Sequence, residues 1–278
     1  MILVADSGST KTEWALIDDN NVVCEFKTIG LNPVFVSSKD ILIELNQSKI
    51  IEYSLKVDEI HFFGAGCSTA ERKDVILRAL KKIFINAVIE VESDLLGAAI
   101  SQFGLKNGII GILGTGSNTG VYKNGMISEN ISSLGYILGD EGSGAVIGKA
   151  FIKLYLDNEL PQELKEKFSN KFDLNLDKII AKVYKEPFPN RFLASFMPFI
   201  HENIDNKFLK NMLYNSFANF LNKTIIKYED VNDYELKLIG SISFYFSDII
   251  KDICKSKSIN LVSISKSPLK GLIRYYSN

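Results

Sequence analysis

The sequence is poor in the residues that most often act alone in catalysis or metal binding. Its 278 residues include two histidines, three cysteines and one tryptophan. Cys24, Cys67 and Cys254 are isolated and form no CxxC pair. Neither a disulfide framework nor a zinc site is therefore indicated, and we expect a reduced, cytoplasmic setting. The two histidines leave few candidates for histidine-based acid–base chemistry.

The chain also lacks a charge excess and a long apolar run. A net charge of −1 gives no reason to expect a nucleic-acid or membrane surface. No run approaches the roughly 20 apolar residues of a membrane span, and the N-terminal residues read as a strand without a signal-type leader. An anionic ligand would therefore need a local device such as a glycine turn or a helix N-terminus.

What the chain does have is one short pattern that occurs twice, at Ile2–Ile17 and Ile109–Tyr122. In each copy an apolar run enters a turn of Gly, Ser and Thr and leaves along a second apolar run. An offset of 107 residues aligns Thr10 with Ser117 and Thr12 with Thr119. In this alignment the first copy has a carboxylate at the entry to the turn, Asp6, and the second copy has Leu113. We expect the two turns to face one another and to hold the phosphates of ATP.

The order of predicted elements indicates an α/β fold. Three meander strands are followed by helix, strand, helix, strand and helix, which is the order of a ribonuclease-H-like domain. The pattern restarts at Gly108, so we predict two such lobes with a cleft between them, at residues 1–106 and 107–278. The second lobe has a helical insertion, and the last helix, 268–278, could pack on the first lobe.

Glycine turns expose successive backbone N–H groups, and flanking hydroxyls add donors, so such turns suit phosphate oxygens. Alone, either turn would more often only reverse the chain, but the matched pair favours ligand binding. The sequence has no GxxxxGK[ST] P-loop, and the second turn lacks the third glycine and the helix of a Rossmann motif. The candidate nucleotide-binding residues of the two turns are Ser7, Gly8, Ser9, Thr10, Lys11, Thr12, Gly114, Thr115, Gly116 and Ser117.

Two aspartates are candidates for the chemistry itself. Asp6 ends an apolar strand beside the first turn and could hold Mg²⁺ that bridges ATP phosphates; alternatively it only accepts turn amides. Asp94 follows Ser93 at the start of a helix, where an ionised carboxylate is favoured, and could receive a hydroxyl proton. Ordinary helix capping is the alternative for Asp94.

Three further segments could contact ligands. Asp140 and Glu141 lie in a glycine-rich loop and suit sugar hydroxyls, or they are solvated acids at a helix cap. Asn32, in the loop after the third strand, could contact a polar substrate, although Asn before Pro is chiefly a turn signal. Gly240 and Ser241, between a strand and a helix, would let an adenine approach the backbone closely.

Taken together, these motifs resemble the actin/hexokinase/Hsp70 ATPase superfamily. Within it, the chain resembles the N-acetylglucosamine kinase branch of the BadF/BadG/BcrA/BcrD ATPase family over nearly its whole length. The matching segments are the first turn at residues 6–12, the second at 114–117, the loop Leu138–Gly144, and Ile239–Ile242 as an adenosine segment.

The resemblance implies a two-lobed kinase that closes on ATP, Mg²⁺ and an amino sugar. It assigns Asp94 as the base for the sugar 6-hydroxyl and Asp6 to the metal. It assigns Asn32, Thr115, Asp140 and Glu141 to the sugar, with Asp94 also touching it, and it makes a homodimer plausible by analogy.

Two other functions remain open. One is an ATPase that energises a partner protein, as the family's iron–sulfur activators do; it predicts ATP turnover without sugar. The other is a non-enzymatic sugar or nucleotide sensor, against which the retention of Asp6, Asp94 and both turns argues. The sequence does not rank N-acetylglucosamine against N-acetylmuramic acid, glucosamine or N-acetylmannosamine.

Overall fold

A computed structural model describes residues 1–229 and 231–277. Its strands fall into two groups of five along the chain. They are β1 Ile2–Ser7, β2 Lys11–Asp18, β3 Asn21–Ile29, β4 Glu59–Gly64, β5 Val88–Ser93, β6 Gly108–Leu113, β7 Ser117–Lys123, β8 Met126–Ile131, β9 Leu236–Ile239 and β10 Leu261–Ser265.

Helices connect the strands and form most of the segment between β8 and β9. They are α1 Ser38–Gln47, α2 Ala70–Ile83, α3 Asp94–Phe103, α4 Gly135–Leu138, α5 Gly144–Leu156, α6 Gln162–Lys171, α7 Leu176–Tyr184, α8 Pro189–Ala194, α9 Met197–Glu202, α10 Lys207–Lys223, α11 Ser241–Tyr245, α12 Ser247–Ser256 and α13 Leu269–Tyr276. Short 3-10 helices occur at Lys49–Tyr53, Ile225–Lys227 and Val231–Asp233.

The first sheet has the strand order β3-β2-β1-β4-β5. The meander β1-β2-β3 is antiparallel, whereas β4 and β5 run parallel to β1 because helical crossovers connect them. One face of this sheet packs on α1 and α2 through fully buried side chains such as Trp14, Phe62 and Ile76. The other face carries α3 and α13.

The second sheet repeats this topology, because its order β8-β7-β6-β9-β10 matches that of the first sheet strand for strand. Each sheet is thus a three-stranded meander extended by two further strands, the arrangement of a ribonuclease-H-like domain. The predicted α/β class and the duplication are confirmed.

The structure corrects the predicted alignment of the two hairpins by one residue. β1 and β6 both span six residues, and their first and last residues correspond at an offset of 106, as do the starts of β2 and β7. This offset superposes the turn glycines, Gly8 and Gly114, whereas the offset of 107 matched hydroxyls. The residue that replaces Asp6 in the second copy is therefore Ile112, and the conclusion that only the first copy has a carboxylate there still holds.

Helix boundaries differ from the predictions in two places. The pattern Ser68-Thr69-Ala70-Glu71 predicts a capping box with Ser68 at the N-cap of α2, but the N-cap is Thr69, whose hydroxyl accepts the Arg72 N–H. The single helix predicted after Gly240 is divided at Phe246 into α11 and α12.

Contacts sort the chain into two compact units that are discontinuous in sequence. The first comprises Met1–Ile110, Gly120–Glu129 and the segment from Ser267 onward; the second comprises Gly111–Thr119 and Asn130–Lys266. The predicted boundary at residue 106 stays a prediction. Within the first unit, α13 packs on α3, β1 and β2.

Close packing of α3 and α13 requires a glycine. A Cβ on Gly271 of α13 would lie 2.2 Å from the carbonyl oxygen of Ser101 in α3. The first unit is thus completed by residues from the far end of the sequence. In the part of the chain that the structure describes, no helix is both long and apolar enough to span a bilayer.

Candidate active site

The first glycine turn is built by hydroxyl groups that lie beneath it. The Ser7 and Thr12 hydroxyls are 2.8 Å apart, and Ser7 Oγ also accepts the N–H of Leu31. Both side chains are fully buried. The turn itself is closed by the Gly8 N–H, which donates to the Lys11 carbonyl oxygen at 2.9 Å. Ser7 and Thr12 therefore fix the shape of the turn from below.

The remaining side chains of this turn face outward. Ser9 is partly buried, and Thr10 and Lys11 are exposed. A Cβ on Gly30 would lie only 2.5 Å from the Gly8 carbonyl oxygen, so the loop after β3 supports the turn at backbone distance. The geometry leaves the groups at residues 8–11 in position to meet a ligand.

Asp6 lies in a strongly electronegative environment beside this turn. Burial, with the negative charges of Asp94 and Glu13, raises the pKa of Asp6 to about 8, and the Lys11 ammonium opposes the rise. A divalent cation would relieve this repulsion, and carboxylate oxygens are the ligands that Mg²⁺ prefers. The residues present therefore fit a Mg²⁺ ion.

Over the described residues, no three His, Cys, Asp or Glu side chains converge in a metal site. Mg²⁺ commonly binds through one or two carboxylates, with water and substrate phosphates completing its shell. The pattern around Asp6 is of this kind.

Glu13 belongs to this site and is missing from the sequence prediction. It lies directly opposite Asp6 in the β1–β2 ladder. Its carboxylate accepts the Lys11 ammonium at 2.7 Å and the Ser267 hydroxyl at 2.6 Å. These hydrogen bonds outweigh burial and lower the pKa of Glu13. The available signal was the hairpin itself, because residues opposite each other in a ladder share a face.

Asp94 begins α3, and its carboxylate lies near both Asp6 and Cys67. Ser93 is the N-cap of α3, with its hydroxyl accepting the Leu96 N–H, and Asp94 Oδ1 accepts the Leu95 N–H at 2.9 Å. The Asp94 charge contributes to the raised pKa values of Asp6 and Cys67, that of Cys67 reaching about 12 chiefly through burial. Ser93 therefore provides the helix cap, and the role of Asp94 as a base stays a prediction.

Asn32 is held in the same unit by an unusually close glycine. Its side chain is 6% exposed, and its Oδ1 accepts the Val34 N–H at 2.9 Å. Gly66 has φ +83°, and a Cβ there would lie 2.2 Å from Asn32 Oδ1. The segment before Cys67 therefore presses against the Asn32 amide and fixes its orientation.

The second glycine turn lies in the other unit and is attached to the start of α5. The Gly114 N–H donates to the Gly116 carbonyl at 2.9 Å, which makes this turn tighter than the first. The N–H groups of Gly144 and Ala145 donate to the carbonyls of Gly114 and Thr115. The carbonyl groups of Gly114 and Thr115 thus point toward the start of α5, whose N–H groups donate hydrogen bonds to them.

Gly240 approaches the entrance of the second turn. It has φ +121°, and a Cβ there would lie 2.2 Å from the Leu113 carbonyl oxygen. Only glycine fits both the backbone conformation and this contact. Ser241, the next residue, is exposed at the start of α11.

The acidic loop beside the second turn contains two carboxylates, those of Asp140 and Glu141, whose surroundings differ. Asp140 accepts the Ser133 hydroxyl at 2.5 Å, and the nearby backbone N–H groups of Gly135 and Ser117 favour its charged form. Burial nevertheless raises the pKa of Asp140. Glu141 is partly exposed.

Each unit thus gathers part of the predicted site. Asp6, Asn32, Asp94 and the first turn lie in the first unit; Asp140, Glu141, Gly240 and the second turn lie in the second. Their roles, and the convergence of both turns on one polyphosphate, stay predictions.

Several of the solved structures that are similar to this chain are described as kinases. A candidate N-acetylglucosamine kinase from Porphyromonas gingivalis is 38% identical, with a TM-score of 0.94 and coverage of 100% of this chain and 99% of that chain. A candidate N-acetylglucosamine kinase from Chromobacterium violaceum is 15% identical, with a TM-score of 0.74 and coverage of 99% and 98%.

A ROK family glucokinase from Streptomyces griseus, in complex with glucose and AMPPNP, is 15% identical, with a TM-score of 0.57 and coverage of 99% and 97%. Because they are only 15% identical, the structures from Chromobacterium violaceum and Streptomyces griseus show a shared fold alone. No protein-family profile and no curated protein matches the sequence.

The full-length match at 38% identity, on a duplicated ribonuclease-H-like fold, confirms the resemblance found in the sequence. The chain belongs to the N-acetylglucosamine kinase-like branch of the BadF/BadG/BcrA/BcrD ATPase family, within the actin/hexokinase/Hsp70 superfamily.

Proposed function

We propose that this protein is a kinase that transfers the γ-phosphoryl group of ATP to the 6-hydroxyl of an amino sugar, with N-acetylglucosamine as the preferred substrate. The observation that carries the proposal is the pair Asp6 and Asp94, two electrostatically coupled carboxylates beside a glycine turn, in a chain 38% identical to a candidate N-acetylglucosamine kinase.

In this proposal Asp94 is the general base. Its carboxylate accepts the proton of the sugar hydroxyl while the hydroxyl oxygen forms a bond to the γ-phosphorus and the bond to the leaving ADP oxygen breaks. The fixed position of Asp94 at the start of α3 reduces the reorganisation needed in the transition state.

Phosphate binding is assigned to the two glycine turns. The groups of Ser9, Thr10 and Lys11 in the first turn, and of Thr115, Gly116 and Ser117 in the second, would donate to phosphate oxygens, while Gly8 and Gly114 close the turns through their own N–H groups. Ser7 and Thr12 would contribute indirectly, by fixing the shape of the first turn, since both residues are buried. Asp6 would hold Mg²⁺, which when bound neutralises charge on the polyphosphate.

Sugar recognition is assigned to Asn32, Thr115, Asp140 and Glu141. Carboxylates and amides suit hydroxyl groups because each oxygen accepts one or two hydrogen bonds. Glu141 is the more available acceptor, because Asp140 already accepts the Ser133 hydroxyl. Gly240 and Ser241 are assigned to the adenosine.

The test is ADP release with Mg-ATP and a panel of free sugars: N-acetylglucosamine, glucosamine, N-acetylmannosamine, N-acetylmuramic acid and glucose. We expect turnover to depend on an amino sugar. ATP hydrolysis without any sugar would instead favour the ATPase that energises a partner, and nucleotide binding without turnover would favour a sensor.

Asp94→Asn is expected to lower kcat by at least about 10³-fold, because the amide cannot take the proton, with nucleotide affinity nearly unchanged. Isothermal titration with a non-hydrolysable ATP analogue measures the affinity, and steady-state kinetics measure kcat. Asp74→Asn, at a partly exposed helical carboxylate paired with Arg78, is the control and should match the wild type. A wild-type rate in Asp94→Asn would refute the assigned base.

A further inference from the structure

We propose that Ser133 and Asp140 form a bridge that couples the sugar-binding loop to the second glycine turn, so that sugar and nucleotide bind cooperatively. We call this contact the Ser133–Asp140 bridge. The inference rests on the proposed function and adds to it a positioning residue, Ser133, that lies outside the predicted site.

The Asp140 carboxylate connects three separate pieces of backbone. Its Oδ1 accepts the Ser133 hydroxyl at 2.5 Å, from the segment that follows β8. The backbone N–H groups of Gly135, at the start of α4, and of Ser117, in the second turn, also act on this carboxylate and oppose the rise in its pKa. One side chain thus joins the acidic loop to the turn assigned to phosphate.

This contact is close and leaves little freedom. A Cβ on Gly116 would lie 2.8 Å from Asp140 Oδ2, so the carboxylate lies directly against the turn. Asp140 itself adopts φ +55°, a left-handed conformation that costs energy for a non-glycine residue. Burial also raises its pKa, which shows that the charged form is held in a poorly hydrated place. The hydrogen bond from the Ser133 hydroxyl opposes this rise in the pKa.

The backbone of Asp140 closes a ring with the same turn. The Asp140 carbonyl accepts the Ser143 N–H at 3.0 Å, and Ser143 caps α5. The next residue, Gly144, donates its N–H to the Gly114 carbonyl at 2.8 Å. The second turn, Asp140 and the start of α5 are therefore linked in a ring. A displacement of any one of them displaces the other two.

Glu141 follows Asp140 directly, so a sugar held by this loop acts on the bridge. Ordering of the loop by sugar orders the Ser117 N–H, and ordering of the turn by phosphate orders the loop. Coupling of this kind is reciprocal, because each ligand changes the affinity for the other by the same factor.

The test measures the dissociation constant of a non-hydrolysable ATP analogue with and without saturating N-acetylglucosamine, in the full-length chain with Mg²⁺. In the wild type we expect the sugar to tighten nucleotide binding about 5–20-fold, a typical coupling factor. Ser133→Ala is expected to reduce this ratio to about 1–2-fold. Ser133→Thr keeps a hydroxyl and should retain the ratio.

Ser132→Ala is the matched control, because Ser132 is the preceding residue, is also exposed and is placed outside the site. It should keep the wild-type ratio. A merely structural role of Ser133 would lower melting temperature without changing the ratio, so the melting temperature of each variant is measured alongside.

Asp140→Asn provides a second test. It replaces one carboxylate oxygen, which accepts hydrogen bonds, with an amide nitrogen, which donates them and would therefore face other donors. Its ratio should also fall to about 1–2-fold, and if it does not fold, Ser133→Ala still decides. A wild-type ratio in Ser133→Ala overturns the inference, as does a ratio of 1 in the wild type. Absence of any amino-sugar binding or turnover in the wild type would instead overturn the proposed function itself.

Discussion

Asp6 shows how a single residue can be placed for a ligand at the expense of stability. Its pKa is raised to about 8, so between about pH 4 and pH 8 the folded chain binds a proton that the unfolded chain does not. The free energy of unfolding therefore decreases as pH rises through this range, and the loss is complete above about pH 8. A charge that destabilises the fold is typical of a residue kept for function.

Asp6→Asn is accordingly expected to stabilise the protein while removing activity. The neutral amide ends the repulsion with Asp94 and Glu13, so the free energy of unfolding at pH 8 should increase, on the order of 1–3 kcal/mol. The gain should vanish at about pH 3, below the ordinary pKa of 3.8, where Asp6 is protonated in both the folded and the unfolded chain. Thermal denaturation at the two pH values measures the first effect, and Mg²⁺-dependent ADP release measures the second.

Asp18→Asn, at a partly buried carboxylate at the end of β2, is the control. It should alter neither the pH dependence nor the activity. A variant of Asp6 that is less stable than the wild type at pH 8 would contradict the electrostatic account.

At the scale of single residues, the sequence predicts much of the candidate site even though the chain has few histidines and cysteines. The reason is that the candidate residues lie in turns rich in Gly, Ser and Thr. Asp6 and Asp94 were identified from their positions after strands, and the structure brings their charges into interaction. Glu13 and Ser133 were missed for a physical reason. Each matters through a contact with a residue elsewhere on a strand or loop, and a single sequence does not display such pairings.

Among the structural elements, the second glycine turn depends on a glycine far away in sequence. Gly240 allows β9 and α11 to approach the Leu113 carbonyl, which directly precedes the turn. The tightness of the turn and its attachment to α5 leave it little room to adjust.

Gly240→Ala is therefore expected to displace the turn and raise the KM for ATP about 10-fold or more, with a smaller effect on the KM for sugar. An alanine at residue 240 would be strained at φ +121°, and its Cβ would lie 2.2 Å from the Leu113 carbonyl oxygen. Gly125→Ala separates the two causes, because Gly125 has φ +81° but an added Cβ would meet no atom within 4 Å.

Steady-state kinetics and the melting temperature are compared for the two variants. We expect both to lose about 1 kcal/mol of stability from strain and only Gly240→Ala to lose nucleotide affinity. Equal kinetic effects would show that the contact with Leu113 does not shape the turn.

Predicted elements succeeded where the pattern is local and failed where it depends on packing. The largely apolar segment Leu236–Ile239, which ends at Gly240, predicts a strand, and β9 spans the same residues. The choice between Ser68 and Thr69 as N-cap could not be made from sequence, since both can cap a helix. The division of α11 from α12 at Phe246 depends on burial of that ring, which is 3% exposed.

For the whole molecule, the notable feature is that the first unit includes the last helix. α13 covers α3 and contacts β1 and β2, and Ser267, just before it, donates its hydroxyl to Glu13 beside Asp6. The stability of the first unit and the arrangement at Asp6 therefore depend on residues more than 250 positions later in the chain.

Gly271→Ala should weaken this packing, because its Cβ would lie 2.2 Å from the Ser101 carbonyl oxygen. We expect a loss of about 1–3 kcal/mol in the free energy of unfolding, measured by denaturant titration. Lys270→Ala, at an exposed neighbour on α13, should stay within about 0.5 kcal/mol of the wild type. Equal stability of Gly271→Ala and the wild type would show that α13 is not tightly packed.

The order of synthesis gives this arrangement a consequence for the cell. While a ribosome is still making the middle of the chain, the strands beside Asp6 already exist, yet the helix that covers α3 has not emerged. Until α13 has emerged, the nascent amino-terminal portion exposes apolar residues of α3 that α13 covers in the folded protein, and exposed apolar surface favours aggregation. A stop codon just before α13 would therefore damage the part of the protein that was translated first.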